Sequence, residues 1–172
     1  MIPKIKKILY ATDLSENSVY ALRYAVNSAK QHDADLVILH VMEVMDPIIL
    51  DAMMAYVDNQ YFTELGGGKI AHAKDRIEKR LKVFFDKARA QDPQISDVNI
   101  STEISEGYPA EEILRKADEL TCDAIVMGTH GKGLLTRAFL GSVAKKVLRR
   151  TRKPVFIIPL PKGKSDLTFE DD

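Results

Sequence analysis

The sequence predicts an α/β fold, an open five-stranded parallel sheet with helices on both faces. Short apolar runs alternate with amphipathic stretches of helical period along the chain, an order that calls for parallel strands joined by right-handed crossovers. The inner runs, Leu36–Val41 and Ala124–Met127, are almost wholly apolar, as strands covered on both faces must be. The unusual loop chemistry gathers just after strands, at Thr12-Asp13 and from Gly128 onward. Sheets of this kind bind ligands at those strand ends.

Ile5–Ala11 reads as the first strand and ends at Thr12-Asp13. Ser15-Glu16-Asn17-Ser18 supplies N-cap residues, and Ala21, Leu22, Ala25, Val26 and Ala29 give residues 16–31 an amphipathic helix. Leu36–Val41 is the second strand. In 42–68, Ile48, Ile49, Leu50, Met53, Met54 and Val57 form a short helical pattern between Pro47 and Gly66-Gly67-Gly68, whose glycines read as a hinge or loop. A long helix is expected from Lys69 to about Arg89, with Ile70, Ala73, Ile77, Leu81 and Phe84 on one face.

Val98, Ile100, Thr102 and Ile104 alternate with polar residues, as in a strand less deeply buried than the others. Gly107-Tyr-Pro-Ala-Glu-Glu112 opens a helix with proline in its first turn and two acids at its positive end; Ile113, Leu114, Ala117 and Leu120 are its buried stripe. Ala124–Met127 is a strand stopped by Gly128, Ser142–Arg150 a helix, and Pro154–Pro159 a last strand. Residues 1–160 read as one domain, 161–172 as a mobile polar tail. In the strand order 3-2-1-4-5, Asp13 and the glycine loop face one another across one crevice.

The chain has 172 residues, enough for one domain with a real core, and 25 basic residues balance 25 acidic ones. That balance gives no global pull toward nucleic acid or an anionic membrane. A lone cysteine, Cys122, excludes an intrachain disulfide. The opening apolar stretch is too short for a signal peptide and no run approaches a membrane span, so a cytoplasmic protein is expected.

Gly128-Thr-His-Gly131-Lys-Gly133 and Gly141-Ser142 have a physical rationale as a phosphate-holding loop. Phosphate needs several backbone N–H groups aimed inward, without side chains in the way, and Gly141-Ser142 stands where the next helix begins. Lys132 or Arg137 is placed to assist. A Walker A loop is absent, because Gly133 is followed by Leu134-Leu135, and the dinucleotide pattern fails after Gly133.

Taken together these residues resemble the universal stress protein family, in its nucleotide-binding branch. The signature G-x2-G-x9-G-(S/T) is met by Gly128, Gly131, Gly141 and Ser142. Lys6–Asp13, Leu39-His-Val41, Pro109–Leu114 and the stretch from Ser142 to Pro159 are also similar to it. The resemblance covers roughly 4–160, with 42–68 in a stretch of variable length. It implies an adenine nucleotide alpha hydrolase-like fold that binds ATP or another adenine nucleotide, usually as a dimer through the last strand. By that resemblance Asp13 contacts the adenosine, the backbone at Val41 reads the adenine edge, and Gly128, Gly131, Gly141, Ser142 and Val143 hold ribose and phosphates. Magnesium or manganese would bridge the phosphates, although no protein ligand cluster for it is visible. The nucleotide-binding set is Ala11, Thr12, Asp13, Val41, Met127, Gly128, His130, Gly131, Gly141, Ser142 and Val143; no catalytic or metal-ligating residue is assigned.

Plainer roles compete at several positions. Asp13 could cap the first helix, but its strand-end place favours ligand contact. His130 has no second residue arranged to orient it as a base, so it is read as part of the loop. His40, inside an apolar strand, is expected to be a satisfied core histidine, and Cys122 a small buried hydrophobe. The basic run Lys145 to Lys153 ends a helix and reads as a solvated face. Val155, Phe156, Ile157 and Ile158 have no later element to pair with, so a sheet edge joined to a second copy in a C2 homodimer is expected. The functional expectation is a nucleotide-dependent regulatory or sensor module in stress response. The alternatives are a slow ATPase or phosphotransferase, and a nucleotide-free dimeric interaction module.

Overall fold

A computed structural model describes residues 2–44, 48, 68–91, 93–129 and 140–159. Strands β1 (Lys7–Thr12), β2 (Asp35–Glu43), β3 (Ile100–Gly107), β4 (Ala124–Gly128) and β5 (Val155–Ile158) form one sheet in the order β3-β2-β1-β4-β5. All four neighbouring pairs are parallel. Helices α1 (Glu16–His32), α2 (Gly68–Gln91), α3 (Pro109–Glu119) and α4 (Ser142–Arg150) alternate with the strands, and a 3₁₀ segment, Pro93–Asp97, precedes β3. This is the predicted fold and the predicted strand order.

Side-chain alternation divides the core in two. On one face Ile8, Tyr10, Leu36, Ile38, Ala124 and Val126 pack beneath Ala21, Leu22, Ala25, Val26 and Ala29 of α1 and Ile77, Leu81 and Phe85 of α2. On the other, Leu9, Val37, Leu39, Ile125 and Met127 pack beneath Ala110, Ile113 and Ala117 of α3 and Ala144 and Val147 of α4. Burial of one large aliphatic side chain contributes about 1.5–3 kcal/mol, so each layer holds its helices firmly.

The differences from expectation lie at element ends. β2 runs on to Glu43, two residues beyond the apolar run. Val98 is buried but lies ahead of β3, with its N–H on the Ile95 carbonyl. In α2 the buried stripe reaches Phe85, four residues past Leu81, whereas the expectation named Phe84, whose side chain lies outside the described set. In α3, Ala110 joins the buried stripe, and Leu114 and Leu120 are partly buried against the same layer. Cys122 is buried there too, and burial pushes its thiol pKa up. Most of 42–68 and the tail from 160 lie outside the described residues, as do the expectations placed on them.

At the end of α4, Arg149 and Arg150 are solvent-exposed; Arg150 reaches Glu111 at 3.4 Å, and beyond the helix Lys153 reaches Asp118 at 3.2 Å. Among the described residues no helix is long and apolar enough to cross a membrane.

Candidate functional site

The sheet opens at its centre. β1 and β4 are paired from Ile8–Ala124 to Tyr10–Val126, and there the ladder stops, although the strands continue to Thr12 and Gly128. They lie where strand order reverses, so the chain leaves them in opposite directions, toward α1 on one face and α4 on the other. A cleft of about 590 Å³ occupies the gap, within the ordinary range for a small-molecule site.

One wall is the loop between β1 and α1. Ser15 donates both its N–H (3.0 Å) and its hydroxyl (2.6 Å) to Asp13 Oδ1. Ser15, the N-cap of α1, makes no side-chain cap bond, and the N–H that Asp13 accepts belongs to Ser15 itself and not to the helix. Asp13 therefore does not cap the helix in the usual sense. Its second oxygen, Oδ2, is buried and has no hydrogen-bond partner among the described residues. An acceptor left so in a native fold calls for an explanation. Behind the loop, the fully buried Tyr10 hydroxyl donates to the Ser18 carbonyl. Burial pushes the Tyr10 pKa far up, against the pull of its Thr12 and Ser18 partners, so this donor stays protonated.

The opposite wall is the overhanging end of β2. Asp35 donates to Lys6 on the β1 side and Leu36 to Asn99 on the β3 side, so odd-numbered residues of β2 address β1. β1 ends at Thr12, opposite His40, yet β2 stays paired with β3 as far as Glu43–Gly107. Val41 still gives its N–H to the Thr12 carbonyl in that last pair, so its carbonyl and the peptide edge of Glu43 point to where β1 has left the sheet. His40 Nδ1 lies 2.9 Å from the Thr12 carbonyl oxygen, so the histidine is satisfied as expected, but it stands on the cleft and not in the closed core.

Besides α1, whose first turn reaches the cleft at Ser18, the starts of α3 and α4 line it, and these two differ electrically. Pro109 opens α3, whose first turn carries Glu111 and Glu112. Their charges offset the positive end of that helix. The first turn of α4 carries no acid, and its N-cap, Gly141, offers no side-chain bond. The first N–H groups of α4 have no acceptor within the helix and open on the cleft. Gly141 is tied in place by its own N–H on the Thr129 carbonyl (2.8 Å), and Thr129 by its N–H on Ile158 (3.0 Å). Gly141 has φ −59° and ψ 159°, which any residue can adopt. What glycine supplies there is room. Among the described lining residues the charged ones are Asp13 and Glu43.

Of the residues singled out by sequence, Ala11, Thr12, Asp13, Val41, Met127, Gly128, Gly141, Ser142 and Val143 all line this cleft. His130 and Gly131 lie outside the described residues, as do Lys132 and Arg137. Sequence reasoning missed Ser18, Leu39, His40, Glu43, Pro109, Ile113 and Ala144; Thr129 stood in the expected loop, and Met42 at a strand end, without being placed in the nucleotide-binding set. A signal for Ser18 was present, since it stands three residues after the N-cap; for Pro109 and Ile113 the helix start was visible but not its neighbour across the gap. Among the described residues no group of three or more His, Cys, Asp or Glu side chains is placed to hold a metal ion.

The model of the universal stress protein family matches residues 4–159. The chain belongs to that family. Universal stress protein MJ0531 of Methanocaldococcus jannaschii is 34% identical to this universal stress protein over 157 residues, 91% of this chain and 84% of the relative. The solved structure of MJ0577, from the same organism, has a TM-score of 0.65 at 25% identity and covers 94% of this chain and 100% of its own. A universal stress protein of Archaeoglobus fulgidus, solved in complex with dAMP, has a TM-score of 0.55 at 20% identity, covering 92% and 99%; that likeness is one of fold.

Proposed function

We propose that this universal stress protein holds ATP or another adenine nucleotide in the cleft and acts as a nucleotide-dependent regulatory or sensor module in stress response. The observation that carries the reading is the early parting of β1 and β4, which brings the unpartnered Asp13 Oδ2 and the uncapped start of α4 to one cleft. A nucleotide asks for these two opposite things. Its base and sugar offer hydrogen-bond donors to a carboxylate, and its phosphates accept from backbone N–H groups. The dAMP complex of the Archaeoglobus relative supports the choice of an adenine nucleotide.

On this reading Ala11, Thr12 and Asp13 contact the nucleoside, and the open backbone carbonyl of Val41 faces the base. Met127 and Gly128 form the floor, and Gly141, Ser142 and Val143 hold phosphate, with His130 and Gly131 completing the loop. Magnesium or manganese, carried in with the nucleotide, would offset the phosphate charge beside Asp13 and Glu43. The unit of function is residues 1–160 in the cytoplasm. A second copy pairs along β5, whose half-buried Val155, Phe156, Ile157 and Ile158 stand at one end of the sheet order.

Acid extraction of the purified protein followed by mass spectrometry should release an adenine nucleotide, and calorimetry should show ATP binding. An empty pocket without ATP affinity would leave only the interaction module. Gly131→Val should block binding and leave the protein folded and dimeric by gel filtration. ADP release over hours with ATP and magnesium distinguishes retention from turnover, and the reading expects retention.

A further inference from the structure

The turn between β1 and α1 is held by hydrogen bonds that converge on Ser18, a residue 5% exposed. The Ser18 hydroxyl accepts from Thr12 Oγ1 at 2.9 Å and donates to the Ser15 carbonyl at 2.7 Å. Its own carbonyl accepts from the Tyr10 hydroxyl. Thr12 Oγ1 also accepts from the N–H of Leu14 at 3.0 Å. Leu14 has φ 60°, the left-handed region, which a leucine adopts only under constraint. Its side chain is anchored in the core. With Leu14 so fixed, Ser15 turns back to give both its donors to Asp13 Oδ1, and Oδ2 is left buried without a partner among the described residues.

A strained residue and an unsatisfied acceptor in adjacent positions persist only where the surroundings over-determine them. Here the surroundings are the Tyr10, Thr12 and Ser18 hydroxyls. We propose that Ser18 is a positioning residue, clamping the turn in the geometry that keeps Asp13 Oδ1 occupied and Oδ2 open to a hydroxyl or amino donor of the bound nucleoside. A carboxylate oxygen and a phosphate oxygen both accept, so the same geometry turns phosphate away from Asp13 and toward α4. The inference rests on the nucleotide reading, and Ser18 acts through Asp13 without needing to touch the ligand.

The test is calorimetry of ATP with magnesium on the full chain, using wild type, Ser18→Ala, Asp13→Asn and the double variant. Each single change should weaken binding about tenfold, and the double variant should match Asp13→Asn within about twofold. Multiplied losses, near a hundredfold in the double variant, would overturn the proposal. Thr12→Val removes the linking hydroxyl at constant size, whereas Thr12→Ser keeps it. Thr12→Ser should bind at least about fivefold more tightly than Thr12→Val, and equal affinities would overturn the clamp even if Ser18→Ala fails to fold. Amide hydrogen exchange on the ligand-free protein separates the two readings. If wild type binds no adenine nucleotide, the nucleotide reading falls and the ligand half of the proposal falls with it. The clamp then stands if the Leu14 and Ser15 amides exchange faster in Ser18→Ala and Thr12→Val, and falls if they do not.

Discussion

His40 Nδ1 stands 2.9 Å from the carbonyl oxygen of Thr12, the residue opposite it in the β1–β2 ladder. A carbonyl only accepts, so Nδ1 carries the proton and the ring is fixed as that tautomer or as the cation. The contact joins β2 to the last residue of β1, where the sheet begins to open. His40→Phe keeps a planar aromatic ring and removes the donor. It should cost about 1 kcal/mol, read as a lower urea midpoint at unchanged slope. Nitrogen-15 NMR of the wild-type imidazole should show Nδ1 protonated at neutral pH.

Gly107 joins β3 to α3 with φ +150°, and a Cβ placed there would lie 2.9 Å from Glu112 Cγ. Two separate penalties are built in, one of backbone and one of contact. Gly107→Ala should destabilise by about 1–3 kcal/mol. Adding Glu112→Ala removes the contact part, so Gly107→Ala should cost less in the Glu112→Ala background than in wild type, and the cost that remains is the backbone part.

Glu112 also gives the fold an acid sensitivity. The Arg115 guanidinium, 2.7 Å away, holds its carboxyl below the ordinary value of about 4.5, against the opposing effect of burial. A carboxyl whose folded pKa is depressed adds stability that is present above the unfolded value and is lost as pH falls through the folded one. Stability should therefore drop as pH falls below 4.5. Glu112→Gln should lower stability near neutrality and flatten that acid limb, measured as urea midpoints across the range.

The start of α4 permits a change that separates folding from binding. Gly141 sits at the N-cap with dihedral angles open to any residue. Gly141→Asp should leave helix stability equal or better by a few tenths of a kcal/mol. The same carboxylate would repel phosphate, so ATP affinity should fall by more than about tenfold. A variant with undiminished affinity would remove the phosphate assignment from this helix.

The fold was legible because its cues are local. α4 is bounded as expected, Ser142 to Arg150, since a capping position and a basic last turn are both written in the chain. The order of strands is the common one for such alternation, with which the loop chemistry after β1 and β4 agrees, and the sheet has it. The cleft was legible only where its residues sit in loops. His40 reads as core because it lies within an apolar strand, and nothing local says that β1 stops opposite it. The overhang of Met42 and Glu43 depends on how far β3 follows β2, a property of two strands together. Pro109 and Ile113 belong to a helix start whose neighbour across the gap only the packed sheet defines. Phe84 and Phe85 both fit a helical period loosely, and Phe85 is buried in the core beneath α2.

The fork between β1 and β4 has a consequence for how such a protein can diverge. Its two tines are main chain, set by the order of strands, so a substituted side chain can fill the opening without moving it while the sheet survives. Any descendant that keeps the topology inherits the vacancy. What remains free to drift is the upholstery, the side chains that line the opening, Asp13, Ser18, His40 and Glu43 among them.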